Sequence, residues 1–167
     1  MAAHPRELLL MRHAKSGYPD GVDDFDRPLS ERGRREGPLA GEWIRGQVGE
    51  VDAVLCSGAA RTRETLQVAG IDAPTTYADE IYEATAGEIL AQIAQTAGDV
   101  RRLLVVGHAP GIPSTVAALA TDDSDAEALR AVRAKFPTSA IAVLEFDGGW
   151  PDLAAVGARL TYFEVPR

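Results

Sequence analysis

The chain has 167 residues, 46% of them hydrophobic and 25% charged, a length and mixture that fit one globular domain. Its 25 acidic and 17 basic side chains leave a formal net charge of -8, which disfavours nucleic acid and anionic membranes as partners. Cys56 is the one cysteine, so an internal disulfide and a cysteine-rich zinc site are excluded.

Residues 7–11 form a short apolar run ending at Arg12 and His13, and predict a buried strand. His4, before it, reads as part of a disordered N-terminus. Residues 17–28 are rich in Asp, Gly and Pro and mark a loop. Ser30 caps a helix starting near Glu31 with Leu39, Trp43 and Ile44 on its apolar side, although Gly33, Gly37 and Pro38 weaken its first turns. A second buried strand is expected over 51–56, with Cys56 as a small buried hydrophobe, and Ser57-Gly58 make the turn beyond it. Ser57 is read as the cap of the next helix, 61–69, which Gly70 ends.

A short strand is expected at 75–77, and a helix over 85–97 from the spacing of Ile89, Leu90 and Ile93. Residues 102–106 are the clearest strand, and Gly107-His108-Ala109-Pro110-Gly111 follows at once. A helix from about Ser114 to Ala120 comes next, then an acidic loop over 121–127 that opens into a short helix through Lys135. Residues 139–146 alternate as a strand, Gly148-Gly149 turn the chain, and 160–165 read as an edge strand. No signal-peptide pattern and no run near the roughly 20 apolar residues of a membrane helix occur, so a cytoplasmic location is expected.

Strands alternating with helices predict an α/β class, a three-layer α/β/α sandwich with a mostly parallel central sheet covered on both faces. Polar residues follow three of its strands: Arg12-His13, Ser57 to Arg61, and His108. Open α/β sheets bind ligands just outside the carboxyl ends of their strands. Two arginines and two histidines at one sheet edge make an anion site, because guanidinium matches phosphate oxygens in a planar, bidentate way. A neutral imidazole is a competent nucleophile toward phosphorus, and splits one displacement into two easier ones. Cationic Arg12 and Lys15 on either side are expected to keep His13 unprotonated. The same arginines repel a metal ion, and no cofactor is expected.

These residues resemble a known family. Leu10-Met11-Arg12-His13-Ala14-Lys15-Ser16 is similar to the Arg-His signature of the histidine phosphatase (phosphoglycerate mutase-like) superfamily, in the form found in small SixA-type phosphohistidine phosphatases. Asp26 to Gly33, Ser57 to Thr65, Val105 to Pro110 and Phe136 to Ala140 resemble further blocks of that family, in order and spacing. The resemblance implies that His13 accepts the phosphoryl group, that His108 is the second pocket histidine, and that Arg12 and Arg61 bind phosphate. It implies Glu80 as the first choice for a proton donor and Glu83 as the second, or no clear acid at all as in SixA-like members, and Ala14-Lys15 stand where the family usually has Gly-Glu. Lys15, Ser16 and Arg27 are candidates for the pocket rim, and a solvated surface is the competing reading for them. Arg61 has its own competing reading, a salt bridge within its helix to Glu64.

The resemblance thus implies a phosphatase that hydrolyses a phosphomonoester or phosphohistidine on a phosphorylated protein or a small metabolite. A mutase-like phosphoryl transferase and a catalytically silent phosphate-binding module remain as alternatives. Richness in Ala, Gly and Arg points to a GC-rich bacterial source.

Overall fold

The computed structural model describes residues 4–167. Strands β1 (Arg6–Arg12), β2 (Ala53–Ser57), β3 (Thr75–Ala78), β4 (Arg102–Gly107), β5 (Ile141–Phe146) and β6 (Arg159–Glu164) form one sheet in the order β3-β2-β4-β1-β5-β6. Strands β1 to β4 run parallel, β5 runs antiparallel to β1, and β6 pairs antiparallel with β5 at the edge. Helices α1 (Glu31–Trp43) and α2 (Ala60–Ala69) carry the chain through β2 to β3. Helices α3 (Ala86–Ile93), α4 (Gly111–Leu119), α5 (Ala126–Ala134) and α6 (Leu153–Val156) complete the fold. The expected α/β class and mostly parallel sheet are what the chain adopts.

Burial on both faces explains why the strands read as continuous apolar runs rather than as alternations. Leu8 and Leu10 of β1 face a core shared with Ile89 and Ile93 of α3 and Ile112 and Val116 of α4. Leu9 and Met11 face the other core, with Ala40 of α1, Leu66 of α2 and the buried Cys56. Each such large side chain contributes roughly 1.5–3 kcal/mol by leaving water.

Helix α1 meets the expectation at its start, where the Ser30 hydroxyl accepts from Gly33 N at 3.2 Å. The glycines that weakened its prediction form its packing face. A Cβ at Gly33 would lie 2.1 Å from Lys15 O and one at Gly37 2.3 Å from Val68 Cγ2, and Gly41, further along the same face, would place one 1.8 Å from Ala69 O. Absence of a side chain thus lets α1 press against the segment after β1 and against the end of α2. Leu39 and Trp43 are only half-buried, while Gly33, Glu36, Gly37, Ala40 and Gly41 make the buried stripe.

Two helix boundaries differ from expectation by more than one residue. Helix α3 stops at Ile93 instead of running to 97, because Gln95 N and Thr96 N turn back to Gln92 O and Ile93 O. Helix α4 starts at Gly111, three residues early, since Pro113 falls in its first turn where no N–H is needed. His4 is exposed, and its carbonyl accepts from Arg101 at 3.2 Å. Among the described residues no helix is long and apolar enough to cross a membrane.

Candidate active site

The site grows out of the carboxyl ends of β1, β2 and β4. Arg12 is the last residue of β1, and its N donates to Ala140 O at 3.1 Å. The next residue, His13, donates its N–H to Gly107 O at 3.0 Å and accepts at its carbonyl from Ser139 N at 3.0 Å. Ala14 N then donates to the Thr65 hydroxyl at 2.9 Å, and that hydroxyl donates to Arg61 O at 2.7 Å. Backbone bonds to β4, to the turn before β5 and to α2 therefore fix His13 on three sides. On the side chains, Arg12 Nη1 donates to Phe136 O at 3.0 Å.

The two histidines meet as expected. Their ring centroids are 5.3 Å apart, and both side chains are buried. His13 Nδ1 lies 2.6 Å from Ala14 O. A carbonyl can only accept, so Nδ1 carries the proton and Nε2 keeps its lone pair. Burial, chiefly, pushes the His13 pKa down to about 3, with His108, Arg61 and Arg12 adding electrostatic opposition to its charge. The ring is thus neutral at neutral pH for a different main reason than the sequence suggested, and Lys15 is not one of the causes. His108 is lowered to about 4, again by burial first and then by Arg61. Its Nε2 is 2.8 Å from the Ser57 hydroxyl.

A cavity of about 490 Å³ opens beside His108, lined by Asp24, Arg61, Tyr82, Glu83, His108, Ser114 and residues 84–86 and 109–111, with Arg12 and His13 outside its lining. Arg61 does not pair with Glu64, which instead takes Arg34 at 2.7 Å. It donates through Nη1 to Asp24 O at 2.7 Å and through Nη2 to Asp24 Oδ2 at 3.1 Å. Tyr82 OH also donates to Asp24 Oδ2, and Arg27 Nε donates to its Oδ1 at 3.0 Å. Those bonds hold the Asp24 carboxyl below its ordinary pKa, Tyr82 first and Arg61 next, and raise Tyr82 to about 12.

Four buried side-chain polar atoms have no hydrogen-bond partner among the described residues: Arg12 Nε, Arg61 Nε, His108 Nδ1 and Ser139 Oγ. All four belong to the residues that surround His13. Buried groups are rarely left unpartnered, so their concentration in one place marks a site rather than a packing fault.

Other expectations meet the geometry less well. Glu80 is exposed on a 3-10 turn and does not line the cavity, whereas Glu83 does. Glu83 has φ +55°, a left-handed conformation that a glutamate adopts only under constraint. Lys15 and Ser16 do not line the cavity either. The Lys15 carbonyl accepts from Ser30 N at 2.9 Å, and Ser16 is buried in a bridge with Leu29. Ser57 is not the cap of α2, whose N-cap is Ala59.

Asp24, Thr65, Tyr82 and Ser139 also belong to the candidate site, and none of them is among the residues that the sequence patterns single out. Thr65 and Ser139 lie within the stretches that resemble the family, 57–65 and 136–140, so a signal exists for them. Asp24 and Tyr82 sit in stretches without periodicity, and only the fold brings them together.

The family model described as "Histidine phosphatase superfamily (branch 1)" matches residues 8–99. Phosphohistidine phosphatase SixA of Escherichia coli K12 is 30% identical over 148 residues, covering 84% of this chain and 86% of that protein. The chain belongs to the histidine phosphatase superfamily. Within it, an uncharacterised protein of Mycobacterium tuberculosis H37Rv is 49% identical over 158 residues, 94% of this chain and 100% of the relative. Among solved structures, a candidate phosphohistidine phosphatase SixA from Nakamurella multipartitia has TM-score 0.90 at 44% identity, covering 98% of both chains. The tungstate complex of the protein histidine phosphatase SixA has TM-score 0.75 at 24% identity over 94% of this chain and 95% of that one, a likeness of fold.

Proposed function

We propose that this histidine phosphatase hydrolyses its substrate in two steps through a phosphohistidine on His13. His13 Nε2 attacks phosphorus, the bond to the leaving group breaks, and water then takes the phosphoryl group from the ring. The observation that carries this reading is the neutral His13, its Nδ1 proton held by Ala14 O at 2.6 Å and its backbone pinned by Gly107 and Ser139. A nucleophile held in one tautomer and one orientation loses little entropy on attack. Arg12 and Arg61 supply positive charge, and neutral His108 a hydrogen bond, to the phosphoryl oxygens as charge spreads over them. The lowered pKa of Arg12 and of both histidines reflects burial amid mutual repulsion. A bound oxyanion relieves that repulsion. The reaction needs no metal or organic cofactor.

Alkoxide leaving groups need a proton donor, and Glu83 on the cavity wall fits that role better than Glu80 does. A phosphoramidate nitrogen is protonated more easily, so phosphohistidine in a protein is the substrate class the site suits best. Similarity to E. coli SixA, a phosphohistidine phosphatase, supports the same choice. The test is turnover of an aryl phosphate and of a phosphohistidine peptide in the presence of chelator, wild type beside His13→Ala. Turnover that persists under chelation and disappears in the variant supports the reading; equal rates for the two proteins contradict it.

A further inference from the structure

We propose that Asp24 is a built-in counter-ion that occupies the phosphate fork of Arg61 until an incoming phosphoryl group displaces it. This rests on the reading of Arg61 as a phosphate ligand. Both terminal nitrogens of Arg61 are spent on Asp24, one on its carbonyl at 2.7 Å and one on its carboxylate at 3.1 Å. Carboxylate and phosphate oxygens compete for the same planar face of a guanidinium. The fork therefore cannot hold Asp24 Oδ2 and a phosphoryl oxygen in the same way at once.

The two partners are unequal. The Arg61 side chain is 7% exposed on α2, whereas the Asp24 side chain is 53% exposed. Asp24 belongs to a 3-10 turn, Asp24–Asp26, that has no buried residue. Its loop is closed at the base by the Ser16–Leu29 bridge and by Gly17 N to Pro28 O at 2.9 Å. The loop tip is laid over the site by Arg61 on the Asp24 carbonyl and carboxylate, Tyr82 on the carboxylate and Phe25 edge-on to Tyr82 at 5.0 Å, while Arg27 pairs with Asp24 within the loop itself. Arg61 is the fixed member and Asp24 the movable one. An exposed carboxylate is held only weakly by such pairs, and a phosphoryl dianion brings more charge to the same donors. Asp24 thus neutralises a buried guanidinium while the site is empty and sets a threshold that weakly charged anions do not cross.

The experiment is calorimetric titration of inorganic phosphate into wild type, Asp24→Asn, Tyr82→Phe and Arg61→Ala. Asp24→Asn keeps the side-chain shape and the carbonyl contact while removing the competing charge. It is expected to bind phosphate on the order of fivefold more tightly. Tyr82→Phe, which frees the carboxylate from one restraint, shifts affinity the same way by less, and carries the test should Asp24→Asn fold poorly. With an aryl phosphate, the gain in Asp24→Asn is carried by KM. Unchanged or weaker phosphate binding in both variants, or a fall in kcat without a lower KM, overturns the proposal and makes Asp24 a positioning residue for Arg61. Wild type and Arg61→Ala binding phosphate equally would instead refute the phosphate role of Arg61 itself.

Discussion

The two ends of the proposed active-site cleft are built on opposite principles. At the phosphoryl end, His13, Arg12 and His108 stand on or just past buried strands, and backbone bonds to Gly107, Ala140 and Ser139 fix His13 and Arg12. At the other end the wall is made of exposed loops, with Asp24 on one and Tyr82 and Glu83 on another. Chemistry that requires atoms placed to a fraction of an ångström sits where packing fixes the chain. The proposed function leaves selection of the leaving group to segments that tolerate change.

The largest effects are expected where the rigid end is cut. His13→Ala should lower kcat by roughly 10⁴-fold or more, as loss of a nucleophile does. Arg61→Ala should lower kcat/KM by about 10²–10³-fold, the scale of a lost oxyanion donor. Steady-state kinetics on an aryl phosphate checks both, and a tenfold effect for either would blur the contrast between the two ends.

The next test reaches the same end through packing. Gly41→Ala places a methyl 1.8 Å from Ala69 O, so α1 and α2 must separate. A loss of about 1–3 kcal/mol in chemical denaturation is expected, whereas Gly46→Ala, which meets nothing within 4 Å, should cost far less. Equal stability of the two variants would show that the glycine seam does not hold the site's supporting helices.

At the loop end, Glu83→Gln should reduce turnover of an aryl or alkyl phosphate about tenfold. Its effect on a phosphohistidine peptide should be smaller, and Glu80→Gln should change neither substrate by more than about twofold. Reversal of the two glutamates would return the proton-donor role to Glu80.

Most of the rigid end was legible in the sequence because burial writes itself into composition. Apolar runs over 7–11, 51–56 and 102–106 announced strands, and the polar residues just after them announced the site. The loop end was not legible, since neither 17–28 nor 79–86 has a hydrophobic period. Whether Glu80 or Glu83 reaches the cavity depends on one 3-10 turn and one positive φ. The cause of the low His13 pKa was also out of reach, because flanking charges are visible in a sequence and burial depth is not. The glycines of α1 are hard to read for a related reason: their cost to the isolated helix is local, and their benefit appears only in its contacts with Lys15 and with α2.

The smallest effect is a pH dependence that separates the two histidines from ordinary ones. Both are depressed in the folded protein, His13 to about 3 and His108 to about 4, from 6.5. Between those values and 6.5 the unfolded chain binds more protons, so stability falls as pH drops through that window. His13→Ala should flatten the decline in Tm between about pH 6.5 and 4. The acid limb of kcat/KM should likewise lie below pH 5, since the attacking ring stays neutral there. An acid limb near 6.5 would mean that His13 is more exposed to water than its surroundings indicate.

The most direct test of the central claim is a rapid acid- and base-quench of a single turnover with radiolabelled phosphohistidine peptide, followed by mapping of the labelled residue. A label that is labile to acid, stable to base, located on His13 and absent from His13→Ala is the predicted result. Full turnover with no label on the protein, or with the label on another residue, would contradict a phosphohistidine intermediate at His13.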